Sequence, residues 1–277
     1  FDPRREITLA DAQKLKSGAV VGDVIRTELE VPAAYGRMAA QTAKQVIIQK
    51  LREAERQMVY EEFKDKQGTL ITGNVQRQEG RLLIVDLGRA TGLVPPKETI
   101  YGERLSPGQR LKFYIVAVNQ TPKGPEILLS RSHPDMVKVL FTTEVPEIEA
   151  GTVEIKEVAR EAGLRTKIAV VSHDSNIDPV GSCVGQRGTR VQTVISELGG
   201  EKIDIIEYNE DPVKFIVNAL SPAKVLSVKL YPEEKRAEAE VKEDQQSLAI
   251  GKSCQNVRLS AKLTGWKIDI LKEDGTS

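Results

Sequence analysis

The residues with the clearest chemistry are Val184-Gly-Gln-Arg-Gly-Thr-Arg190. Two glycines bracket Gln186 and Arg187, and apolar residues at helical spacing follow at Val191, Val194, Ile195 and Leu198. Glycine lets a backbone approach a phosphate closely, and a helix that starts directly after the loop offers free amides to an anion. Arg187 and Arg190 add charge and Gln186 a hydrogen bond, so the chemistry on offer is the gripping of an anionic backbone. Val180 and Val184 ahead of the loop, with Ile168 and Val170 on the preceding apolar run, are candidates for packing against unstacked bases. A lone Gly-x-x-Gly more often just reverses the chain between two helices. Here the segment is repeated. Gly185 to Ile206 has a partner in Gly251 to Leu271, 66 positions later, and both copies contain Lys-Ile-Asp-Ile.

The second copy departs from the first. It reads Gly251-Lys-Ser-Cys254, so a cysteine stands where the loop would close on glycine. The expected grip then moves toward Lys252, Ser253, Asn256 and Arg258. Gly-Lys-Ser also evokes a nucleotide-binding loop, but Gln246 stands where that motif requires its first glycine, and Ser247 to Ile250 reads as helix. Nucleotide binding is therefore rejected.

Each copy needs elements to hold its loop. Thr166–Ser172 and Ala237–Val241 read as strands that feed the two units, so each is strand, short helix, loop, longer helix, strand. A helix over Asp135–Thr142 and a strand over Thr152–Glu157 precede the first unit. Between 66 and 132 the texture changes to short apolar runs separated by turns, the pattern of a small closed barrel. Its aromatics are Phe113, Tyr114 and a loop residue, Tyr101, and alternation turns one of the adjacent pair inward. Arg77, Arg81, Arg110, Lys112 and Lys123 are its candidate phosphate contacts, for weak binding of an anionic strand; a purely structural spacer is the competing reading. Tyr35 to about Phe63 reads as one long helix, with Ile47, Leu51, Ala54 and Met58 forming a narrow apolar stripe. The acid-rich run from Glu144 to Glu161 is expected to turn an anionic strand away from that edge, and the run Glu233–Glu240 reads as a hairpin between strands. Trp266, the sole tryptophan, reads as core packing.

Composition sets the outer limits. The chain has 277 residues with 40 Lys plus Arg against 40 Asp plus Glu, so any nucleic-acid surface has to be local. Two cysteines and two histidines do not make a disulfide framework or a structural zinc site, and a reducing, cytoplasmic setting is expected. No apolar run is long enough to span a bilayer. No carboxylate cluster or nucleophile motif points to catalysis, and His133 and His173 read as turn or surface residues. No cofactor, metal or catalytic residue is assigned.

The duplicated loops and their flanking elements resemble tandem KH domains of the bacterial type, and such a loop clamps about four nucleotides of backbone. The barrel segment, ending Leu129-Ser-Arg-Ser132, resembles an S1 domain of the OB-fold. With the run Gly36-Arg-Met-Ala-Ala-Gln-Thr-Ala-Lys-Gln-Val-Ile47 ahead of them, the order resembles the NusA family of bacterial transcription factors. The resemblance implies a multidomain α+β chain: an N-terminal helical segment with small strands over 1–64, a five-stranded barrel over 65–132, and type II KH units over 133–208 and 209–277. It further implies a non-enzymatic monomer that holds nascent single-stranded RNA and modulates pausing, termination and antitermination. RNA polymerase and other Nus-type factors are its implied partners, the polymerase through an N-terminal domain of which residues 1–64 match the later part. The alternative is an accessory region of an RNA-processing enzyme such as polynucleotide phosphorylase, which would need a catalytic domain. The short link from Glu207 to Pro212 leads us to expect that both KH units form one track.

Overall fold

The computed structural model describes residues 5–27 and 32–273, and the chain forms two compact units, Phe1–Ala54 and Glu55–Ser277. In the first unit, helix α1 (Leu9–Leu15) is started by the Thr8 hydroxyl, which accepts from the Asp11 amide. Helix α2 (Ala33–Lys64) begins in this unit and ends in the next. The expected small strands are not found among its described residues; two helices carry this segment. The predicted stripe on α2 lies in solvent, with Ile47, Leu51 and Met58 all more than half exposed.

The second unit opens with the last turns of α2, which place Phe63 and Val59 in the core of a barrel. Strands β1 (Leu70–Glu79), β2 (Leu82–Asp86), β3 (Thr91–Val94), β4 (Arg110–Thr121) and β5 (Gly124–Ser130) close in the order β1-β2-β3-β5-β4. Only β3 and β5 pair in parallel. Alternation along β4 sends Phe113 into this core, while Tyr114 leaves it on the other face and joins the core of the next segment.

The remainder is one motif built twice. Helices α3 (Pro134–Glu144) and α4 (Pro146–Glu149) precede strands β6 (Val153–Glu161) and β7 (Arg165–Ser172); α5 (Pro179–Val184), α6 (Thr189–Glu197) and β8 (Lys202–Glu207) complete the first copy. In the second copy α7 (Pro212–Ala219), β9 (Val225–Tyr231), β10 (Arg236–Val241), α8 (Glu243–Ile250), α9 (Gln255–Thr264) and β11 (Lys267–Lys272) repeat the order. Each sheet has an antiparallel pair and a parallel pair about its central strand. Register repeats as well: Arg165 pairs with Lys202 and Arg236 with Lys267, and each arginine bonds the aspartate of its Lys-Ile-Asp-Ile segment. The acidic run expected as a hairpin is mostly strand β10, and the turn is confined to Pro232–Lys235.

Each joint lays helices of the later segment on strands of the earlier one. Met136 and Val137 of α3 meet Tyr114, Leu70 and Val116 of the barrel. Phe215 and Ala219 of α7, with Leu259 and Leu263 of α9, cover Ala159, Ala169 and Ile206 of the β6-β7-β8 sheet. Buried charges are tied across these joints. Arg131 is bound by Glu103, by Glu197 and by the Lys112 carbonyl, while Arg160 is bound by the fully buried Glu201 and the carbonyls of Arg131 and His133. Such pairs add little net stability but are costly to break, so they fix the mutual placement of the segments. Between the two copies, Glu161 accepts from Arg258 and Gln255, and the Lys167 ammonium donates to the Ser221 carbonyl.

Candidate nucleic-acid interface

The two loops have nearly superimposable backbones. Gly185 lies at φ 75°, ψ 172° and Gly251 at φ 76°, ψ 167°, a region open to glycine and closed to nearly every other residue. The third positions, Arg187 (φ 53°) and Ser253 (φ 53°), are left-handed, as are the closing positions, Gly188 (φ 76°) and Cys254 (φ 58°). Cys254 therefore takes the shape of the glycine it replaces. The left-handed region costs a side chain only about 1–2 kcal/mol, so a cysteine can stand at the closing position. In both loops the closing amide donates to the opening carbonyl at 3.1 Å.

Helix ends reinforce the comparison. Side chains cap the N-termini of α3, α5 and α7, through His133, Asp178 and Asp211. The helices that follow the loops, α6 and α9, start at Gly188 and Cys254 with no side-chain cap. The first amide of each helix is taken inside the loop, Thr189 donating to the Gln186 carbonyl and Gln255 to that of Lys252, so what each helix start offers an anion is the positive end of its dipole. Gln186, Arg187, Lys252 and Ser253 are exposed around them.

Other predicted site residues have structural duties. Arg190 and Asn256 occupy the same repeat position, and both brace the short helix before the loop. Arg190 donates to the Ser182 carbonyl at 2.7 Å and Asn256 to that of Leu248 at 3.2 Å. Asn256 is fully buried, giving further hydrogen bonds to the carbonyls of Ala249 and Leu220, so its side chain supports the loop from inside. Arg258 is committed to Glu161. Ile168 and Val170 are fully buried under the helices, so neither can meet a base as expected; the central strand turns that face to the core. Val180 also packs on this core and Val184 is half-buried. The acid-rich run reaches the first loop directly, since Glu147 pairs with Arg190 at 2.9 Å.

The barrel cations are spread out. Arg77 and Arg81 flank the β1–β2 turn, Arg110 starts β4, Lys123 sits in the β4–β5 turn, and Lys112 lies at the joint, its amide donating to Glu197. Tyr101 alone of the barrel aromatics is in solvent, at 91% exposure. Tyr114 is covered by α3 and stacks on His133 with centroids 4.7 Å apart. The residues that sequence reading missed line a cleft of about 620 Å³ beside the first loop: Glu147, Asn176, Ile177, Asp178 and Ser182. The Asp178-Pro179 helix start was their one visible signal.

Comparison with known proteins decides the family. Residues 131–208 match the model of a NusA-like first KH domain, 212–277 that of a NusA-like second KH domain, and 1–57 that of a NusA N-terminal domain. The chain is 52% identical over 273 residues to the transcription termination/antitermination protein NusA of Halalkalibacterium halodurans, covering 99% of this chain and 71% of that one. The protein of that name from Bacillus subtilis is also 52% identical, with 73% of its length covered. The one from Thermus thermophilus is 48% identical over 268 residues, with 69% covered.

The chain belongs to the NusA family.

Membership accounts for the duplicated fold, with both NusA-like KH models falling on the repeated halves of the sequence. It also sets aside the RNA-processing alternative. Among the described residues no group of His, Cys, Asp or Glu could hold a metal ion, and no helix is long and apolar enough to cross a membrane.

Proposed function

We propose that this chain holds single-stranded RNA along a surface formed by its barrel and both KH loops, as part of a factor acting in transcription termination and antitermination. The twinned loops carry the reading: two equivalent backbones, each followed by an uncapped helix N-terminus and flanked by exposed Arg187 or Lys252. Phosphates of one strand would seat against the glycine-led backbones at the positive ends of α6 and α9, with the cations closing over them. The four-segment division at 64/65, 132/133 and 208/209 belongs to this reading, with the five-stranded barrel as an S1-type module. With only Tyr101 exposed, the barrel contributes less stacking than is usual for such modules. The chain acts as a cytoplasmic monomer without cofactor or catalysis, and the factor to which it belongs meets RNA polymerase mainly through its N-terminal domain, of which residues 1–64 match the later part.

Gln186→Asp combined with Arg187→Asp tests the first loop. RNA affinity across a salt series should drop, and the salt slope should flatten by roughly 0.7 for each phosphate that the loop no longer neutralises. Unchanged affinity and slope would remove the first loop from the interface.

A further inference from the structure

We propose that the cleft beside the first loop binds a guanine base of the strand whose backbone that loop grips; the inference rests on the RNA-binding reading above. The cleft runs between α4 and the start of α5, and its polar wall has two parts. One is Arg190. Its stem crosses Gly185, where a Cβ would come within 2.7 Å of the arginine Cγ, so the guanidinium is carried to the cleft rather than to open solvent. Both of its anchoring bonds, to Glu147 at 2.9 Å and to the Ser182 carbonyl at 2.7 Å, are made by Nη1. The Nε–Nη2 edge is engaged by neither, and that edge is a two-pronged donor.

The other part is Asp178. Its Oδ1 accepts from the Val180 amide at 3.0 Å and starts α5. Its Oδ2 lies over Gly181, at a point where a Cβ on that residue would sit 2.5 Å away. Gly181 lines the cleft too, so the bare backbone gives this oxygen room beside a bound group, and Ile177 supplies an apolar wall.

A phosphate is the wrong occupant, since Glu147 and Asp178 place two carboxylates in the wall. A base must instead offer acceptors to the arginine and donors to the carboxylate. Guanine offers two acceptors, N7 and O6, next to two donors, N1–H and N2–H₂. Adenine pairs its N7 with a donor and uracil lacks a second donor, while cytosine has only one donor group. Arginine held in plane by a carboxylate and a carbonyl is also prepared for the two-pronged contact to N7 and O6 that arginine makes with guanine elsewhere.

The test uses the whole chain and eight-nucleotide RNAs, with one guanine moved through an oligoadenosine strand and binding followed by fluorescence anisotropy. At one register guanine should tighten binding by roughly tenfold. At that register 7-deazaguanine, which lacks N7, and inosine, which lacks the N2 amino group, should each lose most of the gain. Asp178→Asn, which keeps a capping oxygen for Val180, should bring guanine and inosine to within about twofold of each other, since it weakens the acceptor they are distinguished by. Equal binding of all strands, a gain from cytosine at the same register, or an unaltered guanine–inosine gap in Asp178→Asn would each overturn the guanine site and leave RNA binding intact. Failure of the chain to bind any of the strands would remove the RNA-binding reading and this inference with it.

Discussion

Replacing Gly251 with alanine should cost far more than restoring glycine at Cys254 gains, although both residues lie in one four-residue loop. At φ 76°, ψ 167° a side chain on residue 251 pays about 1–3 kcal/mol in backbone strain. The added Cβ would also sit 2.8 Å from both the amide nitrogen and the Cβ of Asn256. Asn256 is fixed by three carbonyls in a fully buried site, so it cannot step aside, and overpacking adds about 1–3 kcal/mol. Together these predict a loss of about 2–6 kcal/mol. Cys254→Gly relieves about 1–2 kcal/mol of left-handed strain but returns about 0.5–1 kcal/mol in chain entropy, leaving a gain of at most about 1.5 kcal/mol. Trp266, the sole tryptophan, packs in the core of the second KH unit and reports on its unfolding by urea through fluorescence. A Gly251→Ala loss below about 1 kcal/mol, or a Cys254→Gly loss of similar size, would refute the assignment of strain to the opening glycine.

Further outcomes follow from the joints and the thiols. Glu161 has its carboxyl below the usual range because the Arg258 guanidinium bonds it, with Gln255 assisting. Its folded-state value is depressed, so its stabilising share is present at neutral pH and is lost as pH falls through that value. Wild type should exceed Glu161→Gln in stability at pH 7, and the gap should close below about pH 4; a pH-independent gap in denaturation midpoints would contradict this. Burial pushes the Cys183 thiol up to about 12, whereas Cys254 is exposed. Iodoacetamide near neutral pH should therefore label Cys254 alone until the chain unfolds, as peptide mass spectrometry would record. Glu201→Ala strands the buried Arg160 guanidinium and should cost about 3–5 kcal/mol in thermal or urea unfolding.

Much of this fold is written locally. The repeat in Lys-Ile-Asp-Ile and the two glycine-led loops predict strand, helix, loop, helix and strand, because each of those elements rests on short-range periodicity and turn chemistry. The barrel is equally legible from its short apolar runs. Tertiary partners are what the sequence conceals. Asn256 looks like an RNA contact because polar residues beside a loop are usually exposed; it is instead buried and satisfies helix-end carbonyls, and Arg190 spends one nitrogen on the same duty, partners that appear only when the elements pack. Ile168 and Val170 carry the same lesson, since alternation says that a strand has two faces without saying which one the helices cover. Cys254 errs in the other direction. It reads as damage to the loop, yet the closing position needs only a left-handed residue, and the backbone is retained.

The central claim is that both loops act on one strand, and it is tested most directly by affinity for RNAs of about four and about twelve nucleotides, lengths that fit one loop and more than one. The variants are Gln186→Asp with Arg187→Asp, Lys252→Asp with Ser253→Asp, and all four changes together. On the longer RNA each pair of changes should weaken binding, and the four together should weaken it most; on the shorter RNA the penalty from disabling either one loop should shrink, because the other can take the strand. Full affinity for the longer RNA after reversal of the Lys252 loop would contradict the account.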